Sequence, residues 1–214
     1  MSMTFAELLW IVGDEPVFET GLLMAGADRE PSLYGQLGRW RRAGRILQLR
    51  RGAYALAPPY RKTIPHPFLV ANRLVPGSYV SGLSALAFAG MIPEFVAEVT
   101  SCGPGRPHIR STPLGRYSFR YLKPAMRWGY RLAEMGGEQT AFVATPAKAF
   151  LDLVHLQPRG DDPAWIDGLR LDAHALGDAI LEEAAAATGS RKLMRAARYV
   201  RSLADDPALA WEEL

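Results

Sequence analysis

The sequence predicts an α+β protein: an N-terminal winged helix-turn-helix, then a larger α+β domain with a mainly antiparallel sheet and C-terminal helices. Three observations carry this. The stretch SLYGQLGRWRRAGRILQLRRGAYAL, Ser32 to Leu56, passes from a helical apolar spacing to two short β-like runs. Four prolines between Ala57 and Pro67 then interrupt all regular structure. Beyond them, strand-like runs alternate with Gly, Pro and Ser turns between two helical segments. The expected boundaries are residues 1–57 for the DNA-binding unit, 58–67 for a semi-rigid linker and 68–214 for the larger domain.

Taken in order, Phe5, Leu8, Leu9 and Val12 recur at helical spacing, and Gly13-Asp14-Glu15-Pro16 ends that helix. Val17, Phe18, Leu22, Leu23 and Ala25 fit a second, short helix. Pro31 suits the first turn of a third, whose Leu33, Leu37 and Trp40 lie at i, i+4 and i+7 and should face the first two. Gly44 is placed to end it in a left-handed conformation. Ile46–Arg50 and Ala53–Leu56, joined across Arg51-Gly52, read as a hairpin. Three helices and a basic hairpin in under sixty residues is the winged-helix order.

In the larger domain, Phe68 to Leu74 and the small-residue run Ser81 to Gly90 read as helices. Strands are expected at Phe95–Ser101, Tyr117–Leu122, Gly129–Leu132 and Thr140–Ala144. Thr145-Pro146 starts a helix whose Phe150, Leu151, Leu153 and Val154 form the apolar face, leaving Lys148, Asp152 and His155 more accessible. Residues 157–168 read as a polar loop, followed by helices near Ala173–Ala187 and Arg191–Leu203.

Charge is distributed unevenly. Residues 1–30 hold one Arg against six acids, residues 31–133 hold sixteen Lys and Arg against Glu94 and Glu98, and residues 134–214 hold eight basic and fourteen acidic residues. An excess of one sign over a hundred residues fits a polyanion-facing surface. The single cysteine, Cys102, excludes an internal disulfide framework and a Cys-rich zinc site. The longest apolar runs fall short of a membrane span, and Glu7 and Asp14 stand where a secretory signal needs a basic start, so a cytoplasmic location is expected. Gly82-Leu83-Ser84-Ala85-Leu86 fails the nucleophile-elbow pattern, and Gly103-Pro104-Gly105-Arg106-Pro107 lacks a phosphate-loop ending. No metal or cofactor site and no catalytic set is expected.

Within the third helix, Ser32, Gln36 and Arg39 are assigned to base reading in the major groove. Glutamine can bond adenine twice and arginine guanine twice, each pair giving about 1–3 kcal/mol of discrimination. Arg41, Arg42 and Arg45 at the helix end, with Arg50 and Arg51 in the wing, are assigned to the DNA backbone. Arg61, Lys62, Arg106, Arg110, Arg116 and Arg120 extend the candidate nucleic-acid surface, and interleaved aromatics such as Tyr117, Phe119 and Tyr121 suit base stacking as well as an inward-facing sheet.

The segments WRRAGRILQLRRGAYAL, YVSGLSALAFAGMIP and VATPAKAFLDLV, in that order, resemble the AbiEi antitoxins of bacterial abortive-infection systems. The resemblance covers about residues 4 to 155. It implies a transcriptional repressor that binds inverted repeats in its own promoter. It also implies an antitoxin that counters a nucleotidyltransferase-like toxin without needing to bind it. Ala147 stands where the family pattern has a glutamate. Inverted repeats need two winged helices, so a homodimer on DNA is expected. Two readings compete: a nucleic-acid-processing enzyme using Asp152 and His155, which at i and i+3 can touch, and a protein-interaction module.

Overall fold

Thr4 opens the first helix by a reciprocal cap: its hydroxyl accepts from the Glu7 N–H while the Glu7 carboxylate accepts from the Thr4 N–H. The computed structural model describes residues 3–24, 30–94, 96–176 and 179–205. Helix α1 (Phe5–Val12) ends at Gly13, and the chain then forms β1 (Phe18–Glu19), α2 (Thr20–Met24), α3 (Glu30–Arg42), β2 (Ile46–Arg50) and β3 (Ala53–Leu56). The expected second helix is thus shortened. Phe18 pairs in register with Tyr54 and their rings stack at 5.8 Å, so cross-strand contact overrides the local helical spacing. The three strands form an antiparallel sheet in the order β1-β3-β2. The hairpin turns at Gly52, φ +81°, with a bulge between Gln48 and Arg50.

The proline-rich segment is pinned rather than free. Gln139 accepts from the His66 N–H at 2.7 Å and donates to the Ile64 carbonyl at 3.0 Å. There follow α4 (Pro67–Leu74), β4 (Tyr79–Val80), α5 (Gly82–Phe88), β5 (Val99–Gly103), β6 (His108–Thr112), β7 (Gly115–Tyr121), a 3-10 turn (Pro124–Met126), β8 (Tyr130–Glu134) and β9 (Thr140–Ala144). Five helices complete the described chain: α6 (Pro146–Leu156), α7 (Pro163–Asp167), α8 (Ala173–Leu176), α9 (Ala179–Ala187) and α10 (Arg191–Ala204). Part of the expected polar loop is therefore α7, and the helix expected over Ala173–Ala187 is described as two, with residues 177 and 178 outside the described residues.

The second sheet has six strands in the order β6-β7-β5-β4-β9-β8, and it is mixed rather than mainly antiparallel. β4 lies parallel to β9 and β5 parallel to β7, while the other three pairings are antiparallel. The reason is β6. It folds back on β7 as an edge strand, so β7 meets β5 running the same way.

Two apolar clusters result. One joins Leu8, Val12, Phe18, Leu23, Leu33, Leu37, Trp40 and Ile46. The other fills the space between the six-stranded sheet and the later helices, and takes in Val17, Leu49 and Ala55 from the N-terminal elements. The N-terminal unit is thus packed onto the larger one. No helix among the described residues is long and apolar enough to cross a membrane.

Candidate nucleic-acid interface

Leu33, Leu37 and Trp40 are buried, as their spacing predicts, and this fixes which side of α3 faces outward. Tyr34, Gly35, Arg39, Arg41 and Arg42 are exposed. Gln36 is not: it is 3% exposed, and its Nε2 donates to the Met3 carbonyl at 2.7 Å. The assignment of Gln36 to base reading is therefore corrected. One residue before Leu37, it falls on the edge of the buried stripe and anchors the chain ahead of α1. The Ser32 side chain lies outside the described residues. Tyr34 is exposed on the outward side of α3; its i+7 spacing to Arg41, which puts the two on one helix face, was the available signal.

The backbone candidates divide in two. Arg41 donates to Gln48 Oε1 and so ties α3 to β2, and Arg42 Nε donates to the Gly38 carbonyl at 3.2 Å. Arg45 lies over the Phe5 ring, its guanidinium carbon 4.9 Å from the centroid. Arg51 is exposed at the hairpin turn. Arg50 is occupied inside the molecule: its Nε donates to the Arg73 carbonyl of α4 at 2.7 Å and its Nη2 pairs with Glu19 at 2.8 Å. In the structure Arg50 acts as a clamp between the N-terminal elements and α4. Arg50→Ala is expected to lower unfolding free energy by about 1–2 kcal/mol, since the pair is partly solvent-screened. In a gel-shift titration it should weaken duplex binding less than Arg51→Ala does.

Among the outlying cations, Lys62 pairs with Asp14 at 3.0 Å and Arg116 pairs with Glu98. Arg61 and Arg110 are half-buried, whereas Arg106 and Arg120 are exposed. Arg106, Arg110 and Arg120 have no ion-pair partner among the described residues and cluster about the β6–β7 hairpin. The aromatics of β7 split: Tyr117 and Phe119 are buried, and Tyr121 is exposed.

Beneath the six-stranded sheet sits the polar feature the sequence placed wrongly. Lys148 and Asp152, expected to be accessible, are both fully buried and form an ion pair one turn apart on α6. Tyr79 and Ser81 donate to Asp152 Oδ2 at 2.9 and 2.8 Å, and Lys148 Nζ also donates to the Met126 carbonyl at 2.6 Å and lies 4.8 Å from the Trp128 ring centroid. Burial pushes the Asp152 carboxyl above its ordinary value, against the opposing pull of Lys148, and burial likewise raises Tyr79 and Cys102. His155 is exposed and makes no hydrogen bond to Asp152 among the described residues, so the i, i+3 dyad does not form. Ser84 bridges α5 to β5, accepting from the Thr100 N–H at 2.9 Å, and is a packing residue. No group of three or more His, Cys, Asp or Glu able to hold a metal occurs among the described residues. Compared with family models and with curated proteins, the chain matches none.

Proposed function

We propose that the chain is a DNA-binding transcriptional repressor whose N-terminal elements act as a winged helix-turn-helix. The observation that carries this reading is the outward face of α3, where Tyr34, Arg39, Arg41 and Arg42 are exposed, the three arginines with no ion-pair partner among the described residues, next to the antiparallel β2–β3 hairpin. The resemblance to AbiEi antitoxins extends the proposal: the operator is an inverted repeat in the protein's own promoter, bound by two copies, and the larger domain counters a nucleotidyltransferase-like toxin. The enzyme reading loses support because Asp152 is buried and held by Lys148, Tyr79 and Ser81.

The test is a titration of the protein against its own upstream DNA and a shuffled duplex at two salt concentrations. The reading expects tighter binding to the upstream DNA at both, with affinity falling as salt rises. Equal affinity for the two duplexes would sink it. For the antitoxin half, the neighbouring reading frame is expected to encode a nucleotidyltransferase-like toxin whose growth arrest co-expression of this chain relieves; a neighbour of another kind, or arrest unchanged by co-expression, would refute that half alone.

A further inference from the structure

At the end of α6, between the start of α5 and the end of β7, lies a cleft of about 460 Å³. Leu83, Leu153 and Leu156 give it an apolar lining, and Arg120 and Tyr121 line it as well. Thr100, Cys102 and Asp152 complete the polar part of the lining, although Asp152 is itself fully buried. We propose that this cleft binds a small carboxylate carried on a planar apolar ring.

Charge decides the sign of the ligand. Asp152 is the one carboxylate in the lining, and the buried Lys148 ammonium and the Tyr79 and Ser81 hydroxyls neutralise it and take its oxygens. Arg120 is the one cation in the lining and has no ion-pair partner among the described residues, Glu98 being paired with Arg116. A single planar guanidinium matches a single carboxylate bidentately. A nucleic-acid strand would need a track of cations along the lining, so a small monoanion fits better.

Shape decides the rest. The volume lies within the range of small-molecule sites, and the leucines with the Tyr121 ring offer apolar and stacking contact for a flat body. Thr100 and Gln157 supply the few polar groups that orient such a ligand.

The experiment is isothermal titration of the full chain with 1-naphthoate, with its uncharged alcohol, 1-naphthalenemethanol, and with AMP. Saturable binding of 1-naphthoate is expected, weaker for the alcohol and for AMP. Arg120→Ala, at an exposed position, should weaken it about tenfold or more, and Leu156→Trp should fill the cleft and remove binding. Absence of naphthoate binding, unchanged affinity in Arg120→Ala, or a preference for AMP overturns the proposal. None of these outcomes depends on DNA binding by the N-terminal elements.

Discussion

Asp152→Ala is expected to lower the unfolding free energy by about 3–5 kcal/mol. The cause is what stays behind. Lys148 is fully buried, and without Asp152 its ammonium keeps the Met126 carbonyl and the faces of Trp128 and Tyr79 but no opposite charge among the described residues. An uncompensated charge in that setting must either deprotonate or draw water into the core. The Tyr79 and Ser81 hydroxyls also lose their acceptor, which loosens the seat of α6 on β4 and on the start of α5. Replacing both ions, Lys148→Met with Asp152→Leu, should restore the part of the loss due to the unpaired ammonium, while the Tyr79 and Ser81 hydroxyls stay without their acceptor. Urea unfolding of the single and double variants checks this. A loss below about 1 kcal/mol for Asp152→Ala would show that the pair is not buried as described.

That pair shows how far the sequence could be read. The cap at Thr145, the proline after it and the apolar face of α6 follow from local rules, and the helix is where they place it. Lys148 and Asp152 were assigned to solvent because charged side chains seldom lie fully inside, and nothing within a turn or two announces their partners. Those partners come from β4 and from the loop before β8, over seventy and over twenty residues away. The same limit explains the strands. β2 and β3 pair across a two-residue turn and were legible to the residue, whereas β4 is two residues long and exists only because β5 and β9 flank it. β6 is an edge strand with His108 and Ile109 exposed, so it carries no apolar alternation to read. In α3 the apolar spacing gave the buried face correctly, but it left the edge of that face undecided, and Gln36 fell on the inner side.

The corrected face of α3 makes a sharper prediction than the original one. Arg39→Ala should cost about 10- to 100-fold in affinity for the operator and much less for shuffled DNA, as expected when one bidentate base contact is removed. Tyr34→Ala should act in the same direction. Arg42→Ala and Arg51→Ala should weaken binding to all duplexes alike, each reducing the salt dependence by about one counterion. Gln36→Ala should lower stability through its lost bond to Met3 while leaving sequence preference intact. The glycines give an independent check. A methyl added at Gly35 or Gly38 meets nothing within 4 Å, so no contact inside the molecule requires glycine there. Each costs the helix about 1 kcal/mol relative to alanine. Gly35→Ala and Gly38→Ala should therefore raise thermal stability, yet weaken DNA binding by standing where a phosphate backbone or base edge must approach. Variants that become more stable and bind the operator as well as before would show that another surface meets the DNA. A change of operator preference in Gln36→Ala with none in Arg39→Ala would return the reading face to the position the sequence first suggested.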